Sequence, residues 1–150
     1  MAEIHIRPAN ADDLSVIHDL VRELAVYEKE EASFTATLED YQTDFADGVF
    51  QSIVAEMEGE VVGMCLYFLT YSTWKGRMLW LEDFVIRQAY RRHGIGQKLF
   101  DALQLRAKEM NCRLMKWQVL DWNEPAIRFY EKNDALIDTD WWSCRLFLNK

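Results

Sequence analysis

The 150-residue sequence is sparing with the residues that punctuate or cross-link a chain: six glycines, two prolines and three cysteines. Cys65, Cys112 and Cys144 are odd in number and have no paired spacing. They give neither a disulfide frame nor a zinc pattern, and they fit a reducing compartment. His5, His18 and His93 are too scattered to argue for a metal site. No apolar run reaches about 18 residues, so no membrane-spanning helix is expected. The start, Met1-Ala2-Glu3-Ile4-His5, lacks a basic-then-apolar leader, and a cytoplasmic protein is the expectation. Positive charge is also short: 17 Lys and Arg stand against 25 Asp and Glu, a formal net charge of −8. Nucleic acid is therefore a poor partner, whereas a cationic small molecule would be attracted.

What the chain does have is apolar content of 50%, enough for a single domain over residues 1–150 with a real core. Ile4 to Arg7 alternates as a first strand, and Leu14, Ile17, Val21 and Leu24 repeat at helical spacing to about Glu28. A second helix is predicted from Thr37 to Ala46. Strands follow at 52–57, 61–71 and 78–86 as an antiparallel meander. A third helix begins at Gln97, a strand runs over 113–120, and Asn123 caps a fourth helix that Asn133-Asp134 closes. A last strand covers Trp141 to Leu148. The fold class is α+β, a mixed and mostly antiparallel sheet with helices on both faces. The strands before and after the third helix should lie parallel.

The stretch from Met78 to Met110 organises the rest. Its apolar strand is interrupted only by Glu82 and Asp83. Then come Arg91-Arg92-His93-Gly94-Ile95-Gly96 and a helix. Such a loop brings unpaired backbone N–H groups to a helix N-terminus, where a phosphate or pyrophosphate is favoured. The dinucleotide fingerprint is excluded by Leu99 where a third glycine is needed. The nucleoside-triphosphate loop is excluded because no Gly-Lys-Ser/Thr follows four spacers.

Arg91-x-x-Gly94-x-Gly96 resembles the acyl-CoA pyrophosphate loop of the GCN5-related N-acetyltransferases. The likeness extends over nearly the whole chain. Ile6 to Ala9, Glu23 to Glu28, Tyr67 to Arg77, Leu81-Glu82-Asp83 and Val119 to Pro125 with Phe129-Tyr130 resemble the diamine acetyltransferase branch. Ser72, Lys75-Gly76-Arg77 and Val119-Leu120-Asp121 look most like its thialysine acetyltransferases. The spermidine/spermine enzymes carry aspartate where Ser72 stands. The resemblance implies a splayed parallel strand pair beside a bulge in the central strand. It implies acetyl-CoA as donor, held by Phe84, Val85, Ile86, Arg91, Arg92, His93, Gly94, Ile95, Gly96, Gln97, Asn123 and Tyr130. Acceptor contacts are implied at Tyr27, Glu28, Trp74, Glu82 and Asp83. A homodimer is implied too, in which the apolar 141–148 segment is either core or crosses to a second subunit.

Acetyl transfer from a thioester requires a neutral amine, although alkylammonium groups titrate near 10.4. Glu82 is the expected base, relayed by water; its structural alternative is an ion pair with Arg77 or Arg113. Adjacent strand residues face opposite sides, so Glu82 and Asp83 share a face only if a bulge intervenes. Tyr130 is the expected general acid toward the thiolate, and a backbone N–H near Phe84 or Val85 the expected oxyanion donor. The acceptor is expected to be a thialysine-like amino acid or a diamine. Polyamines, a protein lysine, and a non-catalytic acyl-CoA-binding module are the competing readings.

Overall fold

The computed structural model describes residues 2–148. They form two compact units, one ending at Gln118 and the other beginning at Val119.

The first unit is built on a five-stranded sheet in the order β1 (Ile4–Pro8), β2 (Gln51–Met57), β3 (Glu60–Ser72), β4 (Gly76–Ile86) and β5 (Leu114–Lys116). The first four strands are antiparallel neighbours, and β5 runs parallel to β4. The β4–β5 pairing covers Met78–Leu114, Leu79–Met115 and Trp80–Lys116 and then stops. Among the described residues, β4 from Leu81 onward is paired on one side only, so the parallel pair splays apart. The strand expected over 113–120 is accordingly three residues long: without a neighbour its remaining backbone has no ladder to join.

Helix α1 (Leu14–Tyr27) packs on one face of the sheet. Its Leu14, Ile17, Leu20 and Val21 meet Val54, Met64, Leu66 and Val85 in a buried cluster. Helix α2 (Leu38–Ala46) adds Leu38, Tyr41 and Phe45 to the same cluster. It opens with a capping box: Thr37 Oγ1 accepts from Asp40 N at 3.1 Å, and Asp40 Oδ2 accepts from Thr37 N at 2.8 Å. His18 is consumed structurally. Its Nε2 donates to the Ala36 carbonyl at 2.8 Å, and its ring sits 4.8 Å from those of Phe34 and Tyr41.

Helix α3 (Ile95–Glu109) covers the opposite face with buried Leu99, Phe100, Leu103 and Ala107. It starts at Ile95, two residues before the expected start, because Gly94 supplies the left-handed N-cap (φ 78°). Gly63 makes close approach possible on that face: a Cβ there would lie 2.7 Å from Ile86 Cδ1 and 3.4 Å from Leu99 Cδ1.

In the second unit, α4 (Glu124–Lys132) is capped by Asn123, whose Oδ1 accepts from Ala126 N at 3.4 Å. Asp134, rather than Asn133, takes the left-handed closing position (φ 67°), with Ala135 N donating to Tyr130 O. The strand expected over 141–148 is not formed. Those residues carry no regular secondary structure, and Trp142 is 91% exposed. Apolar patterning alone makes no strand when no neighbour completes the ladder.

Candidate active site

The site begins with an irregularity in β4. In the β3–β4 register Leu66 pairs with Asp83, but Tyr67 pairs with Leu81. Glu82 is therefore the extra residue of a β-bulge. Below the bulge Trp80 opposes Phe68, which packs on the α1-side cluster; above it Asp83 opposes Leu66 of that same cluster. Glu82 stays with Trp80, whose Nε1 donates to Glu82 Oε1 at 2.8 Å. The bulge thus brings two sequential carboxylates to one face, which a regular strand forbids. The ion pair that would have made Glu82 structural is not formed with Arg77. That guanidinium donates instead to the Met110 carbonyl at 2.8 Å.

The two carboxylates differ in setting. Glu82 is exposed, whereas Asp83 is partly buried. Burial, then the charges of Glu82 and Glu28, push the Asp83 carboxyl up to about 7. Burial, then the charges of Asp83 and Glu82, raise the Tyr41 phenol. Asp83 lines an open cavity of about 170 Å³ with Glu28, Glu30, Ser33 and the apolar walls of Leu24 and Phe34. Burial and the charge of Glu30 also raise the Glu28 carboxyl.

Glu30 was not singled out by sequence reasoning. It reaches the cavity because α1 ends in a Schellman motif: Glu30 N donates to Ala25 O at 2.9 Å and Lys29 N to Val26 O at 3.1 Å. Lys29 occupies the left-handed position (φ 61°) normally given to glycine. Ser33 Oγ then donates to Glu30 Oε1 at 3.2 Å. A lysine at that position carries no turn signal, which is why the sequence hid it.

The expected anion cradle lies after β4. A short 3₁₀ turn, Gln88–Tyr90, leads into Arg91. Arg92 (φ 68°) and Gly94 (φ 78°) are both left-handed. The amides of Arg92, His93, Gly94, Ile95 and Gly96 have no acceptor among the described residues. His93 is exposed, with its Nδ1 donating to the Tyr90 carbonyl at 3.1 Å. Arg91 Nε donates to the Ile86 carbonyl at 3.2 Å, and its guanidinium lies 5.5 Å from the centre of the Tyr27 ring. Gln97 Nε2 is engaged by Asp101. Phe84 stacks on Phe100 at 6.1 Å beneath the start of α3, and Val85 is buried on the α1 face. Converging, unsatisfied amides at the start of a 15-residue helix suit a bound pyrophosphate.

Glu28, Glu82 and Asp83 are thus brought together. Trp74 is not: it sits 84% exposed in the turn between β3 and β4, beyond the Ser72–Gly76 pair. That turn is roughly 17 Å along the strand from the bulge. In the second unit Tyr130 is buried, its ring 5.7 Å from that of Phe129, and Asn123 is the α4 cap described above.

A mixed sheet whose parallel pair opens beside a bulge, followed by an amide-rich loop entering a helix, defines an acyltransferase of the GCN5-related type. The chain belongs to the acetyltransferase (GNAT) family, whose model matches residues 14–134. It is an N-acetyltransferase. It is similar to the thialysine N-epsilon-acetyltransferase of Bos taurus, with 37% identity covering 98% of this chain and 94% of the relative. It is also similar to the spermidine/spermine N(1)-acetyltransferase-like protein 1 of Homo sapiens, with 34% identity over 91% of this chain and 21% of that longer protein. Among solved structures, a possible acetyltransferase from Clostridium difficile 630 superposes with a TM-score of 0.82 at 24% identity, covering 97% of this chain and 99% of that one. The aminoglycoside N-acetyltransferase AAC(6')-Iy in complex with CoA gives 0.73 at 15% identity, covering 100% and 95%. These structural likenesses speak to the fold alone.

Proposed function

We propose that this N-acetyltransferase moves the acetyl group of acetyl-CoA directly to the primary amine of a small acceptor, a thialysine-like amino acid or a diamine. The observation that carries the acceptor class is the bulge at Glu82, which sets two carboxylates on one face beside a cavity already lined by Glu28 and Glu30. No cation is among the cavity's lining side chains, and mutual repulsion among the acids favours a bound ammonium.

When bound, the donor supplies the thioester carbon that the amine attacks. The chain's own residues do the rest. The amides of residues 92–96 hold the pyrophosphate, and the free edge of β4 from Leu81 to Ile86 offers backbone groups to the pantetheine arm, with an N–H near Phe84 or Val85 for the developing oxyanion. The acceptor must lose a proton held near 10.4. An ordinary carboxylate is a poor receiver, and Asp83 at about 7 is a better one. Glu82, exposed beside it, connects that proton to solvent. Tyr130 is assigned the return of a proton to the departing thiolate, a role that rests on the resemblance of the Asn123-Glu124-Pro125 segment.

The third carboxylate, Glu30, favours acceptors with a second ammonium, which diamines and thialysine-like amino acids both have. The exposed Trp141, Trp142, Leu146, Phe147 and Leu148 support a homodimer in which a second copy covers them. The unpaired Cys65, Cys112 and Cys144 fit a cytoplasmic setting. The test is an amine panel (thialysine, lysine, ornithine, putrescine, spermidine, a monoamine and a lysine peptide) with release of free CoA followed. Turnover of thialysine or a diamine above the peptide is expected. Preference for the lysine peptide would overturn the acceptor class.

A further inference from the structure

We propose that Tyr27 is a positioning residue for the glycine loop: its ring holds the Arg91 guanidinium and so aims that side chain at the donor's pyrophosphate. This rests on the acetyl-CoA reading of the loop. It assigns Tyr27 to the donor side, whereas the family resemblance implies the acceptor side.

Arg91 is fixed at two points. Its Nε donates to the Ile86 carbonyl at the end of β4, and its guanidinium carbon Cζ lies over the Tyr27 ring in the last turn of α1, 5.5 Å from the ring centre. Nη1 and Nη2 have no acceptor among the described residues. A guanidinium bonded through Nε and seated over an aromatic ring keeps its outer two nitrogens for a planar, bidentate anion contact. One helical turn earlier, Glu23 pairs with Arg87. Residues 23 and 27 share a helix face, so α1 grips the loop segment through two arginines flanking the turn Gln88–Tyr90. The left-handed Arg92 follows at once (φ 68°). A non-glycine residue keeps that conformation only where its surroundings over-determine it, and the tether at Arg91 is the adjoining restraint. Tyr27 therefore acts through Arg91 on the donor. It does so by its ring face, which phenylalanine retains.

The test is calorimetric titration of the full chain with coenzyme A, using Tyr27→Leu, Tyr27→Phe, Arg91→Ala and the Tyr27→Leu/Arg91→Ala double variant, with thermal melts to verify folding. An exposed cation–π contact changes affinity roughly two- to fivefold. Tyr27→Leu should weaken coenzyme A by that factor while leaving the acceptor KM at saturating acetyl-CoA unchanged. Tyr27→Phe should bind as the wild type does. In the Arg91→Ala background the Tyr27→Leu loss should vanish. Fully additive losses, an equal loss in Tyr27→Phe, or a raised acceptor KM with intact coenzyme A affinity would each overturn the assignment. If the wild type itself fails to bind coenzyme A, the acetyl-CoA reading falls with it. If Arg91→Ala weakens binding but Tyr27→Leu does not, only this inference falls.

Discussion

The bulge in β4 and the loop that follows it belong to one strand–loop–helix segment, yet they prepare for opposite charges by different means. At the bulge the charged groups are side chains, Glu82 and Asp83, and one of them is desolvated until its carboxyl sits near 7. At the loop the groups are backbone amides, turned outward by left-handed Arg92 and Gly94 and left without acceptors. A cation can be met by carboxylates whose charge is tuned by burial. An anion as diffuse as a pyrophosphate is met by many fixed dipoles. Side-chain chemistry thus governs one end of the segment and backbone conformation the other, and substitutions should act accordingly.

The largest expected effect is at the loop. A Cβ on Gly96 would lie 3.7 Å from Phe84 Cζ, an ordinary contact, so Gly96→Ala should bind acetyl-CoA nearly as well as the parent. Gly96→Glu places an anion among the donors and should weaken binding roughly a hundredfold or more. Calorimetry on the pair separates charge from shape. Equal losses in both variants would mean that the space at residue 96, rather than its electrostatics, matters.

At the bulge, Asp83→Asn should lower kcat roughly 10- to 100-fold. Asp83 receives a proton only as the carboxylate, so the parent's rate should climb as pH rises through about 7, and the variant should lose that limb. The stability effect has the opposite sense. Between its unfolded value near 4 and about 7 the folded form holds the extra proton, so stability falls as pH rises across that window. Asp83→Asn should therefore melt higher than the parent at pH 8 and close to it at pH 4. A variant that lost activity and also melted lower at pH 8 would mark Asp83 as a structural acid.

The smallest effect expected is at Glu30. Glu30→Gln should lower kcat/KM for a diamine roughly two- to fivefold while leaving a monoamine of the same length unchanged, since a solvent-accessible ion pair is worth little more. Equal loss on both acceptors would show that Glu30 shapes the turn after α1 rather than reading a second ammonium.

Much of this was legible before folding. The apolar run 78–86 identified a strand, though only Leu79, Leu81 and Val85 of it are buried, and Glu82 and Asp83 stood out in it as the only charges. Gly94 and Gly96 marked the loop. The bulge was not legible as such, because it is a property of two strands: it exists only where Leu66 and Tyr67 choose Asp83 and Leu81 as partners. The place of Glu30 depended on Lys29 adopting a left-handed turn that lysine does not announce. The segment from Trp141 to Leu148 had strand-like composition, yet a strand needs a neighbour, and within one described chain it has none.

The order of residues dictated what is local: which stretches are apolar, where glycine frees the backbone, and which side chains can carry a proton. It left undecided which of two adjacent acids is sheltered and which meets water. Register settles that: the extra residue turns both acids to one face, where Asp83 enters the cavity beside Glu28 and Glu30 while Glu82 stays exposed. A single unpaired position in a completed sheet therefore converts two neighbouring carboxylates into a matched, unequal pair.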